Sequence, residues 1–103
     1  MAISDVQEIY SNEYKVLDQS GYTISQRSIR MDEKLVGVGT DFYVTTMQDE
    51  IYTFDEKSDR INNLSLGGFE VKNVVGSTIN LARGTSLRSY DKHLKLISER
   101  TIF

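Results

Sequence analysis

What most constrains this chain is that its sequence repeats, because internal periodicity decides the architecture before any single element is read. Three segments align without gaps: YKVLDQSGYTISQRSI from Tyr14, IYTFDEKSDRINNLSL from Ile51 and LRSYDKHLKLISERTI from Leu87. Their central aspartates, Asp18, Asp55 and Asp91, are 37 and 36 residues apart. Leu17, Phe54 and Tyr90 stand just before these aspartates, and Tyr14, Ile51 and Leu87 four before, all able to face a core. Ile24, Ile61 and Ile97 follow six after, the small polar Ser25, Asn62 and Ser98 seven after, and Ile29, Leu66 and Ile102 eleven after. So many matching columns mean one structural unit used repeatedly.

Within each copy, β-branched and aromatic residues alternate with polar ones at a period of two, which predicts strands. Polar turns break the pattern at Gln19-Ser20-Gly21, Gln48-Asp49-Glu50 and Arg83-Gly84-Thr85. Apolar residues are nowhere sustained at helical spacing, and the best helical candidate, Ile29 to Val36, is too short. The last copy reads as strands over Glu70 to Val75, Ile79 to Ala82, Ser86 to Tyr90 and Leu94 to Phe103, and the chain as about eleven strands. No proline is present to interrupt a hydrogen-bonded ladder. The second and third copies also share a Val-Gly pair, Val38-Gly39 and Val75-Gly76, followed by Phe42 and Val44 or by Ile79 and Leu81. Counting back from Asp18 puts Val6 in the place of Ile79, so the first copy is expected to lack its opening strand.

These motifs resemble β-propeller blades of the quinoprotein-like or YVTN-like kind. The matching residues are Val38-Gly39-Thr40-Asp41-Phe42-Tyr43-Val44 with Ile51-Tyr52-Thr53-Phe54-Asp55, and Val75-Gly76-Ser77-Thr78-Ile79-Asn80-Leu81 with Leu87-Arg88-Ser89-Tyr90-Asp91. The expected fold is therefore all-β: three four-stranded antiparallel repeats of about 36 residues in one domain. Their bounds are about 1–31 for the truncated first repeat, 32–68 for the second and 69–103 for the third. The alternative is a β-trefoil, which also has three four-stranded repeats. Propellers close with about four to eight blades, so an arc of this length has open strand edges that invite another chain to pair. Two copies would make a six-bladed ring, the last strand of one completing the truncated first blade of the other.

At 103 residues the chain is one domain's worth of polymer. Its 39% hydrophobic and 26% charged residues exclude the composition of disordered chains. The absence of cysteine excludes disulfides, thiolate metal sites and cysteine nucleophiles, and points to the cytoplasm. No apolar run approaches the ~18 residues of a membrane span, and no signal-peptide pattern opens the sequence. The expected location is cytoplasmic, or in a virion. Charge is uneven: residues 1–71 carry six Lys+Arg against thirteen Asp+Glu, and residues 72–103 carry six against two. Ends of opposite sign can meet each other or a second copy.

The repeated aspartates Asp18, Asp55 and Asp91 are expected to cap turns by accepting hydrogen bonds from amides two residues on. The acidic residues Asp49, Glu50, Asp55, Glu56 and Asp59 lack the spacing of a calcium loop, and His93 has no second metal ligand beside it. No metal and no cofactor is expected. Candidate interaction residues are Tyr10, Tyr14, Tyr43 and Tyr52, since tyrosine is enriched at binding hot spots, together with the basic Arg83, Arg88, Lys92, Lys95 and Arg100. Those basic residues are dispersed and have few aromatics among them, which disfavours nucleic acid. No phosphate loop or nucleophile elbow is present, so enzymatic activity is not expected. The leading expectation is a non-enzymatic structural or protein-interaction module. It would oligomerise with itself, or dock another protein that completes its strand edges, within a larger assembly such as a virion or appendage. The alternatives are a small-molecule or carbohydrate-binding trefoil-like module and a nucleic-acid binder using the basic C-terminal third.

Overall fold

Each repeat forms its strand ladders within its own sheet, and the sheets then stack face to face. The computed structural model describes residues 3–10 and 12–101. Strands β1 (Asp5–Ile9), β2 (Glu13–Leu17) and β3 (Thr23–Ser28) form the first sheet. Strands β4 (Lys34–Val38), β5 (Phe42–Met47), β6 (Glu50–Asp55) and β7 (Arg60–Ser65) form the second, and β8 (Glu70–Val75), β9 (Thr78–Arg83), β10 (Ser86–Tyr90) and β11 (Leu96–Thr101) the third. All pairings are antiparallel meanders between neighbours in sequence.

The molecule is thus all-β with propeller-blade-like sheets, and no helix occurs among the described residues. The trefoil alternative fails, because its repeats would pool their strands into a shared barrel whereas here no strand pairs across repeats. Ile29 to Val36, the best helical candidate, is a turn leading into β4. The strand expected from Leu94 begins at Leu96, and the end expected for it, with Ile102 and Phe103, lies outside the described residues.

Burial follows the stacking. In the middle sheet β5 is buried continuously from Phe42 to Thr45 and β6 from Ile51 to Phe54, because both faces are covered. The flanking sheets alternate, with Tyr14 and Val16 buried on β2 and Ile79 and Leu81 on β9, as expected when one face is covered. One core, around Val6, Tyr14, Val16, Tyr43 and Phe54, lies between the first and second sheets. The other, around Phe42, Val44, Ile51, Ile79, Leu81 and Tyr90, lies between the second and third. The sheets approach most closely along β4 and β8.

Two expected alignments are out by one residue. Val38 pairs with Tyr43, and Val74, not Val75, pairs with Ile79, so Val38 corresponds to Val74 and Tyr43 to Ile79. Val6 pairs with Val16 as Val44 pairs with Thr53 and Asn80 with Ser89, so Val6 corresponds to Asn80 rather than Ile79. A one-residue slip exchanges the two faces of a strand. The shared Val-Gly pair hid the slip, and so did the first hairpin, which pairs Ile9 with Glu13 where the second pairs Met47 with Glu50. Among the described residues the first sheet has three strands, and the open place is on the β1 side, where β5 and β9 are covered by β4 and β8. β11 stands at the opposite edge of its own sheet from β8, the strand whose counterpart is missing beside β1, so completion by the last strand of another copy would join unlike positions.

Gly37 marks the closest approach between sheets. A Cβ there would lie 2.2 Å from Val74 Cγ2 and 2.7 Å from Val74 Cβ. Its counterpart in the third sheet is Asn73, paired with Asn80 as Gly37 is with Val44, and no further sheet of this chain presses on it. Gly37→Ala is expected to cost about 1–3 kcal/mol by overpacking, read from the urea midpoint. Adding Val74→Ala should recover part of that loss, the non-additivity of residues in contact.

Candidate interaction surface

Three turns of one design place the groups that join the sheets. Asp18 Oδ1 accepts from the amides of Ser20 and Tyr22 at 2.9 and 3.0 Å. Asp55 Oδ1 accepts from Lys57 and Asp59 at 2.9 and 3.0 Å, and Asp91 Oδ1 from His93 and Lys95 at 2.9 and 3.1 Å. The fourth residue of each turn, Gly21, Ser58 or Leu94, has positive φ. With the aspartate tying down the amides, the carbonyls just after it point outward.

Those carbonyls receive the preceding sheet. Ser25 Oγ donates to the Glu56 carbonyl at 2.6 Å. Thr53 Oγ1 donates to the Lys92 carbonyl at 2.7 Å, and Asn62 Nδ2 to the His93 carbonyl at 2.8 Å. Ser25 and Asn62 are the small polar residues seven after the aspartates, so that repeated column is the latch between stacked sheets. Ile24 and Ile61, one position earlier, pack against the cores.

On the third sheet the same positions are open. Ile97 is 58% exposed, every described residue of β11 is exposed, and Ser98 makes no hydrogen bond through its side chain among the described residues. Towards its centre this face is polar. Ser89 Oγ donates to Asn80 Oδ1 at 2.6 Å, and Asn80 Nδ2 to Asn73 Oδ1 at 2.7 Å. The second sheet has Thr53, Val44 and Gly37 at these places.

The tyrosines divide. Tyr10 is 91% exposed in the first hairpin, whereas Tyr14, Tyr43 and Tyr52 are buried, which corrects the expectation that they form an interaction surface. They are strand residues serving the core. Of the basic residues, Arg83 donates to the Gly67 carbonyl and lies over the Phe69 ring, as does Arg88, which also pairs with Glu99. Lys92 pairs with Asp41 at 2.7 Å, beside a cleft that Asp55, Glu56, Lys57 and Asp59 also line. Lys95 and Arg100 are exposed. The acidic run is divided, since Asp49 and Glu50 sit at the opposite end of β6 from Asp55.

A buried polar network between the first and second sheets was not visible in the sequence. Glu33, with a fully buried side chain, accepts from Arg27 Nη1 and Nη2 at 2.9 and 2.6 Å, from the Arg30 amide at 3.0 Å and from Thr45 Oγ1 at 2.6 Å. Arg27 lies 3.9 Å over the Phe54 ring and donates through Nε to Tyr43 Oη at 2.8 Å. The available signal was a broken column: Glu33 stands 36 residues before Phe69, and both are buried next to the first strand of their sheet. Burial alone would raise the Glu33 carboxyl, but the hydrogen bonds from Arg27, Arg30 and Thr45 outweigh it and hold the group at about 2. Burial and the nearby Glu33 charge push Tyr14 up to about 12, and its buried hydroxyl has no hydrogen-bond partner.

No family model and no curated protein matches the sequence. Among solved structures, the chain is similar to BamB from Moraxella catarrhalis, with 16% identity and a TM-score of 0.58 over 89% of this chain and 30% of that one. It is also similar to Hsv2 of Kluyvelomyces marxianus, with 9% identity and a TM-score of 0.62 over 97% of this chain and 39% of that one. Both are β-propellers, so each sheet here is blade-like. The chain spans well under half the length of either structure.

Because the Glu33 carboxyl is depressed in the folded protein, its contribution is complete above the ordinary carboxylate range and is lost as pH falls towards 2. That contribution is roughly 3 kcal/mol. Glu33→Gln should cost about 3–5 kcal/mol at neutral pH by leaving Arg27 buried and unpaired. Its urea midpoint should also flatten between pH 5 and 2 relative to the parent. Tyr14→Phe removes a buried hydroxyl that lacks a partner, and should be neutral or stabilising by up to about 1 kcal/mol in the same measurement.

Proposed function

We propose that this chain is a non-enzymatic protein-interaction module that docks a β-rich protein partner on the outer face of its third sheet. Within the propeller class we assign the blades to the quinoprotein-like or YVTN-like kind, on the aromatic-Asp ends of β6 and β10. The observation that carries the docking reading is the latch column. Ser25 and Asn62 each reach a turn carbonyl of the next sheet, and Ile24 and Ile61 pack beside them. Ser98 and Ile97 present the same pair to solvent. A face built like two occupied ones is a site for a third occupant of the same kind.

The polar strip of Asn73, Asn80 and Ser89 makes that contact less apolar than the two inside the chain, as fits partners that also exist apart. No helix among the described residues is long and apolar enough to cross a membrane. Docking of this kind suits a component of a larger assembly such as a virion or appendage.

A photo-activated cross-linking residue at position 97, with a control at the exposed Met31, tests the reading in the cell that expresses the protein. A discrete protein adduct is expected at 97 and not at 31. Adducts absent at 97, or equal at both positions, would remove it.

A further inference from the structure

We infer that the occupant of the third sheet's outer face is the first sheet of a second copy, docked head to tail so that two copies close into one ring. This rests on the docking reading above and names its partner. The chain carries both halves of the contact it repeats internally. The receiving half consists of a turn with an aspartate cap, outward carbonyls just after it, and the strand face alongside. The first sheet has this half: Asp18 caps its turn through the same two amides as Asp55 and Asp91. Gln19, one past Asp18, corresponds to Glu56 and Lys92, whose carbonyls are used inside the chain. Gln19 and Ser20 are exposed. The Ser98 hydroxyl would then donate to the Gln19 carbonyl of the partner copy as Ser25 donates to that of Glu56.

The two outer faces also match in polarity. Between the second and third sheets, Val44 and Ile79 share one apolar core. The residue of the third sheet that corresponds to Val44 is Asn80, by its pairing with Ser89. The residue of the first sheet that corresponds to Ile79 is Asp5, which pairs with Leu17 as Ile79 pairs with Tyr90. Asn80 and Asp5 would meet as amide donor and carboxylate acceptor where the internal interface joins two aliphatic side chains. A polar residue stands on both sides of the same position, so the outer faces complement each other better than either complements an internal one.

Charge acts in the same direction. The third repeat, residues 69–103, holds six Lys+Arg against three Asp+Glu, and the first, residues 1–31, three against four, so head-to-tail contact brings a basic repeat against a slightly acidic one. A contact between two different surfaces either closes into a ring or runs on as a filament. Two copies present six sheets in all, within the roughly four to eight that close a propeller.

The chain has no cysteine, so one introduced pair reports on one contact. In Gln19→Cys/Ser98→Cys, the two positions of one molecule are held apart by the intervening second sheet, and sheets stack at about 10 Å. A disulfide needs Cα atoms within about 7 Å, so only head-to-tail contact between copies can form it. The expected result is a covalent dimer on oxidation of the double variant and monomer from each single variant. In the unmodified protein at about 100 µM, sedimentation should give a dimer that salt weakens, with Ile97→Lys raising the dissociation constant at least about tenfold. A dimer from Ser98→Cys alone, a ladder beyond dimer, or an unmodified protein that stays monomeric would overturn the inference. If the protein is monomeric but position 97 captures a different protein, docking stands and the second copy falls. If it is monomeric and position 97 captures nothing, both fall.

Discussion

An antiparallel sheet of three or four strands is marginal in water unless one of its faces is covered, and among the described residues the main cover of each sheet is another sheet. Every other property of the molecule answers to that. The second sheet, covered on both sides, can carry Phe42, Tyr43, Val44 and Thr45 in succession, all fully buried. The sheets on either side must alternate. The glycine at position 37 is required because the Val74 side chain of the neighbouring sheet arrives there, and Asn73 stands at the corresponding place of the third sheet, where no described sheet of this chain packs.

The two internal contacts are built differently. The one between the second and third sheets is aliphatic and aromatic, sealed by Thr53 and Asn62 on the next turn. The one between the first and second sheets is organised around a charge. Arg27 is sandwiched between its carboxylate partner and aromatic rings, and the Tyr43 hydroxyl carries the network on to Ser58 at 2.9 Å. Buried ion pairs of this sort add little net stability but are costly to break. They therefore fix which face of the first sheet meets the second.

Much of this was legible in the sequence. The aspartate column caps a turn in every copy, and the isoleucines six after it and the small polar residues seven after it make the contacts between sheets in the first two copies, because each sits close to one turn whose geometry is reproduced. The strands Glu70 to Val75 and Ser86 to Tyr90 begin and end where the alternation says. What misled was distance from that anchor. Val38-Gly39 and Val75-Gly76 look alike but pair one step apart, and one step is enough to exchange the faces of a strand. The tyrosines read as an interaction surface because tyrosine is enriched at binding hot spots, while in Tyr14 and Tyr43 the ring fills the core and the residue is buried. Glu33 gave no local sign at all, since what makes it tolerable comes from Arg27 and Thr45 on other strands.

The three capped turns share their hydrogen bonds but not their fourth residue. Glycine holds the left-handed conformation freely at position 21, whereas Leu94 holds it at φ 60°, against a steric cost of roughly 1–2 kcal/mol. Leu94 is also only 7% exposed and belongs to the core between the second and third sheets. Its side chain thus acts as a plug driven in from the turn, and the strained backbone is the tension that the plug sustains. The repeats are for that reason not interchangeable modules. A turn moved from the first copy to the third would restore an easy backbone and leave a hole in the core, so each loop of this protein is matched to the sheet it serves.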